Sequence, residues 1–134
     1  KTMLFPDLPD RQRATLLTVS ERLVVYKVYE TAVITDGKVF AEAGTVYGDP
    51  KCAAIADDES WCAVGGASVW VRVAPPRGDI LKSEGVRLHH LRELCWIEAL
   101  WPLGDRLLGF VCVDGGRRRI GALDVDRLAI EFEI

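Results

Sequence analysis

The sequence has few of the features on which enzyme chemistry usually depends. It contains two histidines, His89 and His90, and it has no G-x-S-x-G elbow, Walker A loop or H-E-x-x-H pair. Gly65 and Gly66 precede "ASVWVRV", a pattern typical of a strand, whereas a phosphate-binding loop needs a helix at that point. We therefore expect a protein that is not an enzyme and that holds no cofactor or metal ion.

Paired cysteines are also missing. The four cysteines, Cys52, Cys62, Cys95 and Cys112, form no C-x-x-C pair, and their spacings match no common zinc module. We therefore expect all four to be small buried hydrophobic side chains of a protein in a reducing compartment.

No run of apolar residues approaches the roughly 18 needed to span a membrane. Met3 is the only methionine, so we expect the natural chain to start there and residues 1–2 to be left over from expression. The following "MLFPDLPDRQR" lacks the basic start and the apolar core of a signal peptide. These features predict a cytoplasmic protein without a membrane partner.

Strongly basic charge is absent as well. The 134 residues are 49% hydrophobic and 28% charged, with a net charge of -3, which is ordinary for a globular protein. An acidic balance argues against direct binding of nucleic acid and favours a basic protein as partner.

The residues that are present favour strands throughout. Pro6 and Pro9 predict an extended N-terminal arm over residues 1–13, and alternating Val, Thr, Ile and Tyr predict a single all-β domain over 14–134. Turns are expected at Asp36-Gly37, at "PLGD" (102–105), at "DGG" (114–116) and at "DVDR" (124–127). Residues 80–94 fit a strand or a helix, and Gly85 favours the strand.

The strands are arranged in a weak internal repeat. "AAIADDESWCAVGGASVWVRV" and "IEALWPLGDRLLGFVCVDGGRRRIGALDV" share the order strand, polar turn, strand ending near Gly-Gly, strand. The period of about 45 residues gives units at 14–50, 51–94 and 95–134, each an antiparallel meander, and "WPLGDRLLGFV" resembles the opening of a β-propeller blade. Three units are too few to close a propeller, so the resemblance implies an open partial propeller with a flank free for a protein partner or a second copy.

Carboxylates and aromatic side chains near turns and on the last strand are the candidate partner-binding residues. The acidic side chains among them have two interpretations. They keep the protein soluble and protect an edge strand from aggregation, or they form a docking surface for a basic protein. The candidates are Asp57, Asp58, Glu59, Trp70, Arg72, Trp101, Asp124, Asp126, Glu131 and Glu133.

This profile, small, acidic and all-β without a catalytic motif, is similar to that of bacterial immunity proteins of contact-dependent growth inhibition systems. The resemblance implies a protein that binds one cognate toxin domain, often a nuclease, and covers its basic active site. Two alternatives remain open. One is a scaffold module that homodimerises, and the other is a small ligand-binding or metal-binding enzyme that uses His89 and His90.

Overall fold

The computed structural model describes residues 14–133, and these form strands and connecting turns without a helix. The predicted arm, residues 1–13, lies outside the described residues. The all-β prediction is confirmed. The strands are Ala14–Val19 (β1), Val24–Val28 (β2), Thr31–Thr35 (β3), Phe40–Thr45 (β4), Cys52–Ile55 (β5), Trp61–Gly65 (β6), Val69–Val73 (β7), Arg87–Leu91 (β8), Ile97–Gly104 (β9), Leu107–Asp114 (β10), Arg117–Asp124 (β11) and Ile130–Phe132 (β12).

The strands make three four-stranded antiparallel sheets, each a simple meander in chain order. We refer to β1–β4 as the first sheet, β5–β8 as the second and β9–β12 as the third. Each predicted unit contains one sheet, and no sheet closes on itself. Residues 14–133 include no helix that could cross a membrane.

The tight turns arise from local chemistry. Asp36 Oδ1 accepts hydrogen bonds from the backbone N–H groups of Lys38 and Val39, both at 2.9 Å, and Gly37 adopts a φ of 93°. The hydrogen bonds from Val39 and Lys38 lower the pKa of Asp36. Between β10 and β11, Gly115 and Gly116 both have positive φ, as a two-residue hairpin turn requires.

The ambiguous segment at 80–94 contains a strand. Residues Arg87–Leu91 pair antiparallel with Val69–Val73 along their whole length. This pairing makes β8 the outer strand of the second sheet, so the helical interpretation of the leucine spacing is wrong.

The turn predicted at 102–105 is also wrong in its position. Strand β9 continues to Gly104, Pro102 lies opposite Leu108, and the register shifts by a bulge between Leu107 and Leu108. Because β9 is an edge strand, a proline there removes no essential ladder hydrogen bond. The chain therefore reverses later, at Asp105 and Arg106.

The second sheet is covered on both faces. Trp61, Ala63 and Val71 belong to the core shared with the third sheet, whereas Cys62 and Val64 belong to the core shared with the first sheet. Every residue of β6 is consequently buried, which explains its unbroken apolar sequence.

Two tryptophans join the second sheet to its neighbours. The indole Nε1 of Trp61, which is fully buried, donates to the carbonyl of Asp105 at 3.1 Å. Trp70 Nε1 donates to the carbonyl of Thr45 in the first sheet at 2.7 Å. A Cβ atom at Gly44 would overlap Trp70, so this close approach requires glycine.

The prediction for the cysteines is only partly confirmed. Cys62 and Cys112 are buried, Cys52 is half-buried, and Cys95 is exposed, so Cys95 corrects the expectation. Burial raises the pKa of Cys52 to about 11 and that of Cys62 to about 12. These two thiols therefore stay protonated and unreactive at neutral pH.

Candidate functional site

The first strands of the three sheets lie next to one another. Strands β1, β5 and β9 are each the first strand and an edge of their sheet, and β5 contacts both β1 and β9. Between them runs a groove of about 420 Å³, which we call the first-strand groove. It is lined by residues 18–21, by residues 53–57 with Glu59, and by Leu100, Trp101 and Pro102.

Two carboxylates that line the first-strand groove are uncommitted. Glu21 lies in the turn after β1, and Asp57 lies in the turn after β5. Both side chains are exposed, and within residues 14–133 neither carboxylate has a hydrogen bond or ion pair. A groove lined by both apolar side chains and free carboxylates can accept the stem and the charged head of a lysine or arginine side chain.

Glu59 serves the fold. Its carboxylate accepts hydrogen bonds from Ser20 Oγ, from the backbone N–H of Arg22 at 2.9 Å and from Arg22 Nε at 3.2 Å. Partial burial opposes the ionised form, but the hydrogen bonds from Ser20 and Arg22 outweigh it and lower the pKa of Glu59. Glu59 therefore ties the second sheet to the first.

Asp58 is also held within the fold. Its carboxylate accepts hydrogen bonds from Ser60 Oγ at 2.7 Å, from Ser60 N at 3.0 Å and from the backbone N–H of Arg77 at 3.1 Å. Burial acts against ionisation, but the hydrogen bonds from Ser60 and Arg77 lower the pKa of Asp58 overall.

Asp126 binds the arginine that joins the second and third sheets. Arg106 donates to both carboxylate oxygens of Asp126, at 2.6 and 2.9 Å, and also to Ser60 Oγ at 3.0 Å and the carbonyl of Ala74 at 2.8 Å. Nearby, Asp124 accepts from the backbone N–H groups of Asp126 and Arg127 and thereby closes its own turn.

Trp70 and Arg72 are directed towards the first sheet and the adjoining loop. The ring of Trp70 stacks on His90 with centroids 4.3 Å apart. Arg72 donates to three backbone carbonyls, those of Ile80 at 2.8 Å, Lys82 at 3.2 Å and Glu42 at 3.3 Å. The hydrogen-bonding capacity of Arg72 is thus largely used inside the protein.

The structure brings the other candidates together on one face of the third sheet. In the strand register, Trp101, Gly109, Ala122 and Glu131 form one row across the sheet. Ala99, Val111 and Ile120 form the next row, and Glu133 adjoins it by donating its backbone N–H to Ile120. We call this surface the outer face of the third sheet, because the opposite face packs on the second sheet through Leu108, Phe110 and Leu123.

The two histidines are consecutive residues of β8 and lie on opposite sides of the strand. Arg92 Nε donates to His90 Nδ1 at 3.3 Å, so His90 Nε2 carries the proton and donates to Ser68 Oγ at 2.8 Å. Burial and the nearby Arg92 lower the pKa of His90. Burial and Arg87 lower the pKa of His89, whose ring Nε2 is buried without a hydrogen-bond partner in the described chain. Residues 14–133 contain no group of three or more side chains that could hold a metal ion.

Glu21 was not among the residues predicted from the sequence. The internal repeat contains a signal for it, because Glu21 and Asp57 occupy the same turn, between the first and second strands, in successive sheets. Repeated structural units place equivalent turns at the same end of a stack. The repeat, together with the prediction for Asp57, could therefore have identified Glu21 as a candidate residue.

Comparison of the chain with protein-family models found no match, and comparison with curated proteins found none either.

Proposed function

We propose that this protein is a protein-binding inhibitor that resembles immunity proteins, and that it binds a basic toxin domain, such as a nuclease, and covers its active site. The observation that supports the proposal is the first-strand groove, whose lining combines apolar side chains of β5 and β9 with the uncommitted carboxylates of Glu21 and Asp57. A surface of this kind suits a basic side chain presented by another protein.

The contrast between used and unused carboxylates strengthens this proposal. Asp58, Glu59 and Asp126 have their hydrogen-bond partners inside the fold, whereas Asp57 and Glu21 face solvent. Charges that hold a fold together cannot also change partners without a loss of stability, but free charges can speed the encounter with a partner of opposite sign. Glu21 and Asp57 are therefore the residues on which recognition would depend.

The proposed overall arrangement is an open partial propeller in which β1, β5 and β9 are the inner strands. The support is that each of these strands is the first and an edge strand of its sheet, and that β5 contacts both of the others. Nuclear Overhauser contacts between β1 and β5 and between β5 and β9, in solution, are the expected result. Their absence would exclude the arrangement.

The function is tested with the product of the gene immediately upstream as the binding partner. We expect a complex whose association rate falls at least about tenfold between low and high salt, since steering by exposed charges is screened. The double variant Glu21→Gln/Asp57→Asn should associate more slowly and should lose most of the salt dependence.

The matched control is Glu84→Gln/Glu93→Gln, which removes the same charge from exposed positions that do not line the groove. This control should associate at the rate of the unaltered protein. A partner that does not bind, or a rate that does not change with salt, would contradict the proposed function.

A further inference from the structure

The outer face of the third sheet is an apolar surface without a covering layer among residues 14–133. Ile120 is 46% exposed and Leu103 is 52% exposed, and both line a shallow hollow of about 620 Å³ together with Trp101 and Ala122. In contrast, both faces of the second sheet are buried. Exposed apolar patches of this kind in soluble proteins usually mark interaction surfaces.

Trp101 lies flat on this face and also reaches the first-strand groove. A Cβ atom at Gly109 would overlap the indole ring, so the ring covers Gly109 directly. Trp101 lines both the hollow and the groove. The two surfaces are therefore continuous, and one partner could cover both.

One border of the hollow is acidic. Glu131 and Glu133, at the β12 edge, line it; both are exposed, and neither carboxylate has a hydrogen bond or ion pair within the described chain. At the end of the face near the β10–β11 turn, Arg118 is already paired with Glu98 at 2.6 Å. Arg117 and Arg119 also lie next to Glu133, and Arg119 is paired with Asp114 at 3.6 Å. Among the described residues, one unpaired arginine, Arg117, therefore stands against the two unpaired carboxylates, and the uncompensated charge on this border is negative.

This charge pattern disfavours a second copy as the occupant. A two-fold axis across the strands would place Glu131 and Glu133 against the same residues of the other copy, which repel. A two-fold axis along the strands would place Trp101 against Glu131, so a carboxylate would lose water without gaining a partner.

The size of the face leads to the same conclusion. Four strands at their usual spacing, over about six residues each, give roughly 400 Å² per partner. Two such faces would bury about 800 Å², whereas stable interfaces usually bury at least about 1,200 Å². A partner that covers the first-strand groove as well can exceed this limit.

We infer that the outer face of the third sheet docks an apolar surface of a partner protein that is bordered by lysine or arginine side chains. The inference rests on the proposed function, since the face would be a second part of the same interface. Apolar contact with Trp101, Ile120 and Ala122 supplies affinity, and Glu131 with Glu133 selects the basic border.

The test uses two synthetic, disulfide-closed β-hairpin peptides with the same Ile/Val/Trp face, one flanked by lysines and the other by glutamates. Titration into the ¹⁵N-labelled protein should shift the amide signals of Ile120 and Ala122 and the indole signal of Trp101. The lysine hairpin should bind at least about tenfold more tightly than the glutamate hairpin. Equal binding of the two hairpins, or shifts confined to other surfaces, would overturn the inference.

Variants assign the effect to this face. Glu131→Gln/Glu133→Gln should weaken the lysine hairpin about five- to tenfold, and the control Glu84→Gln/Glu93→Gln should not weaken it. Glu21→Gln/Asp57→Asn should leave hairpin binding unchanged while it slows association with the toxin-domain partner, so failure of this inference can be distinguished from failure of the proposed function. A dimer in sedimentation velocity that Ile120→Ser abolishes, with the circular dichroism spectrum unchanged, would identify a second copy as the occupant and overturn the inference.

Discussion

At the scale of single residues, three neighbouring carboxylates have three different roles. Asp57 is free, Asp58 closes its own loop through Ser60, and Glu59 reaches the first sheet at Arg22. The sequence predicted one shared role because it shows only that acidic residues are adjacent. The difference depends on the positive φ of 60° at Glu59 and on a partner 37 positions away, and neither is visible in the local pattern.

The pair formed by Arg106 and Asp126 gives a pH-dependent prediction. The two hydrogen bonds from Arg106 hold the pKa of Asp126 below its ordinary value. A lowered folded-state pKa stabilises the protein above the unfolded value of about 3.9, and this stabilisation is lost as the pH falls through the folded value. Solvent screens this pair, because the Asp126 side chain is 42% exposed, but Arg106→Gln also removes the hydrogen bonds to Ser60 and Ala74. The substitution should therefore lower the free energy of unfolding by about 1–2 kcal/mol at pH 7. The difference from the unaltered protein should shrink as the pH falls below 4.

Urea unfolding at a series of pH values measures this effect. The control is Arg118→Gln, because Arg118 is 74% exposed in its pair with Glu98 and an exposed pair contributes about 0.5 kcal/mol or less. If Arg106→Gln and Arg118→Gln cost the same amount at pH 7, Arg106 does not link the second and third sheets in the way that its four hydrogen bonds indicate.

At the scale of strands and turns, the sequence was a good guide wherever a turn depends on glycine. Asp36-Gly37 and Gly115-Gly116 are turns because their backbone conformations favour glycine or aspartate. Pro102 misled the prediction, since proline marks a turn in most contexts but is tolerated on an edge strand. Whether a strand is an edge depends on the sheet order, which local sequence does not specify.

The contact between β9 and β10 at Gly109 leads to a second prediction. Because a Cβ atom at position 109 would overlap Trp101, Gly109→Ala should displace the indole ring and cost about 1–3 kcal/mol of stability. The indole N–H signal of Trp101 should move in the ¹⁵N spectrum, and the lysine hairpin should bind more weakly.

Gly104→Ala is the matched control for this substitution. A Cβ atom at Gly104 would meet nothing closer than 3.7 Å, on the side chain of Leu107, which is ordinary van der Waals contact. The Trp101 signal and hairpin binding should stay unchanged in this variant. An unmoved Trp101 signal in Gly109→Ala would show that the ring does not lie on Gly109 in solution.

At the scale of the whole molecule, the two cores share one sheet. The unbroken apolar sequence of β6 is typical of a strand covered on both faces, and β6 is buried throughout. The sequence does not show which face of the third sheet stays uncovered, because Leu108 and Phe110 on one face and Val111 and Ile120 on the other are all apolar. That outcome depends on the stacking of the sheets, and the candidate face could not be identified before the register was known.

A shared middle sheet predicts that the three sheets unfold together. Val64 is fully buried against the first sheet, so Val64→Ala should lower the free energy of unfolding by about 2 kcal/mol. Hydrogen exchange should then speed up equally at Val25 in the first sheet and at Phe110 in the third, because loss of the second sheet uncovers both cores. The control Val111→Ala, on the half-exposed outer face, should cost much less and leave Val25 unchanged. Faster exchange at Val25 with no change at Phe110 would mean instead that the sheets behave as a stack of separately unfolding units.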